Sequence, residues 1–336
     1  MKRVLSLTLA FLNLFCACGT VNPVSSSTQS TSSKVASSEV SSSPTLEDFG
    51  FEQVYSPEKP VKIDYEYEKL TSLSGLNIVN LGDSIFGNFR GASSVSSRIN
   101  WYTGATCHNG GIGGATWGFS WNFKDYYTMH RMAYYISTGD FNPFHRAVNS
   151  FTLKENPNSY IAETYRLLAD MNWEEVDVIT ISYGTNDFTN QGLITGNESM
   201  KYREYFTTPN VEKGLFKACS HYYLDDAIKY SLNAIRTKYP HIRIVVTTPT
   251  PRYDYVDKPV NNHGYELKDY CEHIKKVCEE WGVPCLDAYN EVGINDQNYK
   301  QYFFENDFVH LNEQGRDLLA KYISDNLLDA LNSYCE

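Results

Sequence analysis

The sequence predicts an α/β fold in which helices cover both faces of a parallel sheet. Its 336 residues are 42% hydrophobic, which is enough to bury a large core and excludes disorder for the bulk of the chain. Short β-branched runs alternate with longer stretches of helical periodicity, the pattern that parallel sheets produce. Polar motifs follow several of these runs, at the strand ends where such folds bind ligands. Length alone leaves one large domain or two ordinary ones open.

Each predicted element has a local reason. The apolar runs are short enough for strands, and the run 176–182 is β-branched enough for a central strand. The helices have apolar positions at helical spacing, with Pro240 and Gly282 ending two of them and Asn312 capping the last. The predicted strands are 76–81, a weaker one at Cys107 and Asn109, 176–182, 242–248 and 283–286. The predicted helices are 93–101, 161–173, 224–239, 265–281 and 312–331.

Two aromatic-rich insertions, 117–158 and 188–220, do not fit this alternation. Both come after strands, so we expect them to surround the strand ends and form walls of a substrate cleft. A helical addition with a small core of its own is the alternative for the first insertion. The candidate substrate-binding residues in and beside these insertions are Trp117, Trp121 and Asp187.

The amino terminus predicts export. A basic pair precedes the apolar run 4–15, which is too short to cross a membrane as a helix, so 1–17 is a predicted signal peptide. Ala17 before Cys18 resembles the processing site of bacterial lipoproteins, which implies a lipid on Cys18 and a membrane-anchored protein on the cell surface. An ordinary secreted protein that is cut nearby is the alternative. Serine and threonine dominate 18–45, a predicted tether to a domain over 46–336 with its core at 76–331.

The acidic balance and the cysteines narrow the partners. A net charge of −11 and a sequence pI of about 5.2 argue against a nucleic-acid partner. Six cysteines beyond the signal region allow disulfides, but their spacing fixes no pairing. Metal binding is disfavoured because the two-residue spacing of structural zinc sites is missing. Buried free thiols are the default for Cys271 and Cys278, which would share a helix face. The six are Cys107, Cys219, Cys271, Cys278, Cys285 and Cys335.

Four short motifs carry chemistry. Ser84 follows Gly82 and Asp83 directly after the first strand, where a strand-to-helix turn exposes the hydroxyl beside free backbone amides. Near the other end of the chain, Asp307 and His310 are three residues apart, so the carboxylate can fix the imidazole tautomer while the other ring nitrogen faces a nucleophile.

The other two motifs supply hydrogen-bond donors. The glycine-rich segment 109–116 lets backbone amides approach a ligand closely, and the Asn186 amide follows the central strand. Each motif alone has a structural explanation, as a turn, a loop or a helix cap. All four at strand ends together indicate one site.

With these four blocks in order, the sequence resembles the SGNH (GDSL-like) hydrolase superfamily, which contains esterases, lipases and carbohydrate deacetylases. The resemblance covers 76–331 and implies a flavodoxin-like three-layer α/β/α sandwich around a mostly parallel five-stranded sheet.

The resemblance also implies that Ser84 is the nucleophile, His310 its base and Asp307 the residue that orients the base. The implied oxyanion hole consists of the Ser84 and Gly114 backbone amides and the Asn186 side chain, with Gly113 as the alternative to Gly114. Ile85 and Phe308 depart from the family pattern.

We therefore expect a serine esterase that removes acyl groups, acetyl above all, from carbohydrate through an acyl-enzyme on Ser84. This scheme needs no cofactor or metal. The rivals are a lipase or lysophospholipase, an O-acyltransferase and a glycan-binding lipoprotein without catalysis. Carbohydrate is favoured because the insertions hold more Tyr, Trp, Asn and His than Leu or Ile. The expected partners are an acylated carbohydrate or other small ester, and a membrane through Cys18 alone.

Overall fold

The computed structural model describes residues 59–118, 122–156, 159–190, 194, 223–254, 260–261 and 263–335, which belong to one compact unit, Ser43–Glu336. The predicted signal peptide, the tether and its lipid site Cys18 lie outside these residues, as do Trp121 and Cys219. They stay predictions. No helix in the described ranges is both long and apolar enough to cross a membrane.

Five parallel strands form one sheet in the order β2-β1-β3-β4-β5. This is the flavodoxin-like order, and it confirms the predicted fold class, with every strand pair parallel. β1 and β3 are neighbours although β2 separates them in the chain, so the strand order reverses between them. Ligands bind at this position in open α/β sheets. The strands are β1 Asn77–Gly82, β2 Thr106–Asn109, β3 Val178–Ser182, β4 Arg243–Thr247 and β5 Cys285–Leu286.

The predicted helices are present with shifts of a few residues at their ends, and shorter helical turns lie between them. The α-helices of the described residues are α1 Ser84–Gly87, α2 Val95–Thr103, α3 Met129–Thr138, α4 Asn142–Ala147, α5 Leu153–Glu155, α6 Tyr160–Ala169, α7 Thr185–Thr189, α8 Leu224–Lys238, α9 Leu267–Glu280, α10 Ala288–Glu291 and α11 Glu313–Asn332. The 3-10 turns are Gly91–Ser93, Asn122–Tyr127, Trp173–Glu175, Tyr299–Gln301 and Ser333–Cys335, and Val148–Thr152 is a π-helical turn.

Side chains of the sheet alternate between two cores because successive strand residues point to opposite faces. Val79 and Leu81 pack with α3, α6, α8 and α9 on one face. Ile78 packs with α2 and α11 on the other face. Both faces of the sheet are therefore covered, and its carboxyl edge is left for the site.

The first insertion is a helical addition to the core, so the expectation that its aromatic residues wall a cleft is wrong for its described part. Tyr127, Tyr135 and Phe144 are almost completely buried, and they share the core of one sheet face. α3 packs along α8. Large aromatic rings gain most when they leave water entirely, and here they fill the interior beside the sheet. Of the second insertion, only 188–190 and 194 are described.

The described cysteines carry free thiols. Cys271 and Cys278 are buried in α9, as expected from their shared helix face. Burial raises the pKa of the Cys107 thiol to about 12, so this group stays protonated near neutral pH.

Candidate active site

Ser84 is the first residue of the short helix α1 and follows directly on β1. Asp83 caps this helix, because its Oδ1 accepts the Ile85 backbone N–H at 2.9 Å. Burial raises the pKa of Asp83 to about 6, against the lowering effect of the Ile85 hydrogen bond and of His310 and Arg252. Ser84 itself is only 6% exposed. The turn therefore fixes a serine hydroxyl at the carboxyl edge of the sheet.

The hydroxyl of Ser84 meets the imidazole of His310, although the two residues are 226 positions apart in the chain. Ser84 Oγ lies 2.9 Å from His310 Nε2. On the other side of the ring, His310 Nδ1 lies 2.7 Å from Asp307 Oδ2. The structure thus brings together the three side chains that the sequence singled out, in the order in which a base activates a hydroxyl and a carboxylate orients the base.

The turn that carries Asp307 and His310 contains a strained residue, and its own hydrogen bonds and neighbouring contacts stabilise it. Asp307 Oδ1 accepts the backbone N–H groups of Val309 and His310 at 3.0 and 3.1 Å. Phe308 has a φ of 54°, in the left-handed region that bulky residues avoid at a cost of about 1–3 kcal/mol. The Tyr253 N–H donates to the Phe308 carbonyl at 3.0 Å, and the Phe308 ring packs edge-on to Tyr299 at 5.4 Å. These contacts hold the strained residue in place.

The hydrogen bonds of Asp307 also set its charge. Partial burial would raise the pKa of this carboxyl, but the His310 ring and the two backbone N–H groups outweigh it and lower the pKa below its ordinary value. The carboxylate therefore stays ionised well into the acid range, where it can hold the imidazole in one tautomer. Among the described residues, no three His, Cys, Asp or Glu side chains form a group that could hold a metal ion.

The glycine-rich loop after β2 presents backbone amides beside the hydroxyl. Gly114 has a φ of 81°, which glycine adopts without strain. The N–H of the neighbouring Gly113 donates to Tyr160 Oη at 2.8 Å. No acceptor among the described residues takes the Gly114 N–H. This difference favours Gly114 over Gly113 as a donor to a ligand.

Asn186 reaches the same loop from the other side of β1. It lies in α7, one residue into the helix that follows β3, and its Nδ2 donates to the Ala115 carbonyl at 2.9 Å. A primary amide carries two N–H groups, so this bond fixes the plane of the amide and leaves a second N–H for a ligand.

Sequence reasoning missed Arg90, which braces the glycine-rich loop. Arg90 Nη1 donates to the Asn109 carbonyl at 2.7 Å, and Nη2 donates to the Gly111 carbonyl and to Thr164 Oγ1, both at 2.8 Å. Its guanidinium also lies over the Tyr160 ring, 4.5 Å from the centroid. A fork of this kind ties the loop to α6. No motif marks Arg90, because its main partners are carbonyl groups of the backbone.

Close packing of α1 against the loop depends on two glycines. A Cβ on Gly87 would lie 2.8 Å from the Gly111 backbone, and a Cβ on Gly111 would lie 2.7 Å from Gly87 N. Real Cβ atoms do not approach so closely, so only glycine allows the turn of Ser84 and the loop of Gly114 to touch.

The structure corrects two of the candidate substrate-binding residues. Trp117 is fully buried, and its indole N–H donates to the Tyr183 carbonyl at 3.2 Å. Asp187 accepts the N–H groups of Trp117 and Gly118 at 3.1 and 3.4 Å, and burial raises its pKa to about 7. Neither side chain faces a substrate. They join the end of the glycine-rich loop to α7 beneath the site.

The fold and the linked side chains of Ser84, His310 and Asp307 define the arrangement found in serine hydrolases of the α/β class. The model of the GDSL-like lipase/acylhydrolase family matches residues 81–318, which is more than half of the chain and spans all four motifs. The chain therefore belongs to the GDSL-like lipase/acylhydrolase, or SGNH, family.

The solved structures to which this chain is similar are distant from it in sequence. One is 19% identical and covers 78% of this chain and 100% of its own, with a TM-score of 0.51. A protein from Lactobacillus plantarum is 18% identical over 76% of this chain and 97% of its own, with a TM-score of 0.49. A carbohydrate acetylesterase family member from Sinorhizobium meliloti is 12% identical over 76% and 99%, with a TM-score of 0.45. A search of the curated proteins found no match.

Proposed function

We propose that this protein is a serine esterase that cleaves short acyl esters of carbohydrates through an acyl-enzyme on Ser84. The observation that carries the proposal is the linked pair of hydrogen-bond distances, 2.9 Å from Ser84 Oγ to His310 Nε2 and 2.7 Å from His310 Nδ1 to Asp307 Oδ2. Membership of the acylhydrolase family points to the same chemistry.

In the first half of the reaction, Ser84 Oγ attacks the carbonyl carbon of the ester while His310 Nε2 takes the hydroxyl proton. The carbonyl oxygen becomes an oxyanion. When this tetrahedral intermediate collapses, the bond between the carbonyl carbon and the alcohol oxygen breaks, and the leaving oxygen takes from His310 the proton that Ser84 gave up. Ser84 is left carrying the acyl group, and Asp307 stabilises the imidazolium while it exists.

In this mechanism we assign the stabilisation of the oxyanion to three N–H groups: the backbone amides of Ser84 and Gly114 and the second N–H of Asn186. The Ser84 amide belongs to the first turn of α1, where backbone N–H groups have no intrahelical partner. Donors of this kind stabilise the developing negative charge because they are oriented before the reaction begins.

In the second half, a water molecule replaces the alcohol. His310 Nε2 takes a proton from the water, whose oxygen attacks the acyl carbon and forms a second tetrahedral intermediate in the same hole. Its collapse releases the carboxylic acid and returns the proton to Ser84 Oγ. His310 can accept these protons only as the neutral imidazole, which is the form that the Asp307 carboxylate orients through Nδ1.

The surroundings of Ser84 favour a small acyl group. A Cβ on Gly113 would lie 3.7 Å from Ser84 Cβ and 2.9 Å from Tyr160 Oη, so the loop and a phenol hydroxyl both approach the nucleophile. Tyr160 Oη in turn lies 3.4 Å from Asn88 Oδ1. A long alkyl chain needs a continuous apolar channel, whereas the groups on this side of the nucleophile include the polar atoms Tyr160 Oη and Asn88 Oδ1.

Ser84→Ala tests the proposal. Loss of the nucleophile should lower kcat roughly 10⁴- to 10⁶-fold on acetyl esters while the protein stays folded. The measurement is release of 4-nitrophenol from 4-nitrophenyl acetate, and of acetate from acetylated xylan and acetylated peptidoglycan. Ser324→Ala, on α11, is the matched control and should keep wild-type rates.

A second measurement tests the preferred acyl length separately from the reaction mechanism. Across 4-nitrophenyl esters of increasing acyl length, kcat/KM should be highest for acetate and fall for longer chains. Near-normal activity of Ser84→Ala would remove the esterase mechanism. Preference for long acyl chains would leave the mechanism standing and remove the carbohydrate substrate.

A further inference from the structure

Two phenylalanine rings form an aromatic ledge beside the site, which we define as Phe89 and Phe304. The rings are stacked, with centroids 5.7 Å apart and planes 16° from parallel. Phe304 is 39% exposed, which places it among the few large hydrophobic side chains that face water in the described residues. Phe89 is half-buried, so the two parallel rings together form one partly exposed aromatic surface.

A buried cation stiffens the ledge from behind. Arg316 lies with Cζ 3.6 Å from the centroid of the Phe89 ring. Arg316 is only 4% exposed, and its Nε and Nη1 donate to the carbonyls of Ser93 and Leu311, both at 2.7 Å. The same Cζ lies 5.9 Å from the centroid of the Phe304 ring, so one buried cation contacts both rings of the ledge and holds them in place before any ligand arrives.

The ledge joins the two segments that carry the reacting side chains. Phe89 follows α1, five residues after Ser84, and its carbonyl accepts from Asn109 Nδ2 of the glycine-rich loop at 3.3 Å. Phe304 opens the turn of the base, and its N–H donates to the His310 carbonyl at 3.0 Å. A substrate group resting on Phe304 therefore lies beside the ester position rather than at a remote surface.

We propose that the ledge is the subsite for a sugar ring of the ester substrate, bound with its C–H face on the Phe304 ring. This proposal rests on the proposed esterase function and names the part of the substrate that this function leaves open. A pyranose offers a flat patch of C–H groups edged by hydroxyls, which matches an exposed ring whose exposed neighbours are polar: Asn88, Glu305 and Asn306. An acyl chain of a lipid would need apolar neighbours along its length, and these three residues supply hydrogen-bonding groups instead.

Phe304→Ala tests the ledge. On an acetylated xylo-oligosaccharide, KM should rise roughly 2- to 12-fold, the range that one aromatic contact contributes, with kcat almost unchanged. On 4-nitrophenyl acetate, which has no sugar ring, kcat/KM should stay within about twofold of wild type, by the same reasoning that only the ring contact is lost. Phe304→Tyr keeps the flat face and should behave as wild type, whereas Phe304→Leu, with a similar apolar volume and no flat face, should behave as Phe304→Ala.

Trp101→Ala is the matched control. Trp101 is 76% exposed and lies in the last turn of α2. This helix leads into the amino end of β2, whereas the site lies at the carboxyl ends of the strands. It should leave both substrates unaffected. Equal losses on both substrates for Phe304→Ala, or unchanged kinetics on the oligosaccharide, would overturn the ledge as a sugar subsite.

The outcomes distinguish this proposal from the proposed function. A wild-type protein that cleaves 4-nitrophenyl acetate through Ser84 but no acetylated glycan would overturn the ledge and leave the serine chemistry intact. A wild-type protein whose activity does not depend on Ser84 would overturn the proposed function first.

Discussion

The two halves of the site are built differently. The nucleophile half, with Ser84 and Gly114, lies against the interior, and the half-buried guanidinium of Arg90 braces its glycine-rich loop. The base half is a surface turn, in which the side chains of His310 and Asp307 are 31% and 37% exposed. Phe308 in this turn has a left-handed backbone conformation, and its ring packs against Tyr299.

Because of this difference, mutations in the two halves should have different effects on stability and activity. Groups of the nucleophile half are also part of the packed interior, so changing them should lower stability together with activity. Groups of the base half are partly in water and make short-range contacts, so changing them should lower activity while the fold survives. Mutations in the base half and in the nucleophile half can therefore be compared by their effects on kcat and on the free energy of unfolding.

After loss of the nucleophile itself, the largest effect is expected for Asp307→Asn in the base half. The amide can still accept the two backbone N–H groups, but it no longer stabilises the imidazolium or fixes the tautomer, so kcat should fall about 10²- to 10⁴-fold. Stability should change little. The measurements are steady-state hydrolysis of 4-nitrophenyl acetate and urea unfolding.

Asp325→Asn is the control for this change, since Asp325 is an exposed carboxylate of α11 that pairs with Lys321. It should be neutral in both assays. A variant Asp307→Asn that keeps at least half of wild-type kcat would contradict the assigned role of the carboxylate.

The next effect is expected for Arg90→Lys in the nucleophile half. An ammonium is a compact donor that cannot reproduce the fork to the Asn109 and Gly111 carbonyls, so buried acceptors lose their partners. The free energy of unfolding should fall by about 1.5–3 kcal/mol, the usual value for a hydrogen bond to a charged group. Activity should fall with it because the loop that holds Gly114 loses its brace.

Arg98→Lys offers the matched comparison. Arg98 makes its ion pairs with Glu313 and Asp317 at the surface of α11, where such pairs contribute about 0–1 kcal/mol. Equal destabilisation by the two variants in urea unfolding would show that the fork on the glycine-rich loop has no special weight.

The meeting of Ser84 with His310 and Asp307 could be predicted from sequence because each residue lies in a short motif at a strand end. Parallel strands carry such ends to one edge of the sheet, so a pattern along the chain becomes a position in space. Gly114 and Asn186 also follow strands of the sheet, so their positions were predictable for the same reason, and their role toward an oxyanion stays a prediction. The five-strand sheet was also predictable, since buried strands leave continuous β-branched runs.

The rest depends on contacts that leave no pattern. Arg90 binds backbone carbonyls, whose positions follow from the fold and not from residue type. Trp117 was expected to face substrate because aromatic residues suit sugar surfaces, yet burial of the same ring stabilises the interior more. The pairing of Phe89 with Phe304 joins segments from opposite ends of the domain, and neither segment predicts the other.

The sharpest contrast between the halves concerns the pH dependence of stability. Burial raises the pKa of Asp187 to about 7, against an unfolded value of about 3.9, so between those values the folded chain binds the extra proton. Its contribution to stability is therefore lost as pH rises from about 4 to about 7. The pKa of Asp307 is lowered instead, so its contribution is present above the unfolded value and is lost as pH falls through the folded one.

Asp187→Asn should accordingly flatten the decline of unfolding free energy between pH 4 and pH 7, by at most about 1.4 kcal/mol per pH unit, and Asp307→Asn should act only at the acid end. Urea unfolding across this range measures both, with the exposed Asp329→Asn as control. Asp83, whose pKa burial raises to about 6, keeps part of the decline in the Asp187 variant. A slope in Asp187→Asn identical to wild type would mean that this carboxyl is already ionised inside the protein, and that the N–H groups of Trp117 and Gly118 compensate for its burial.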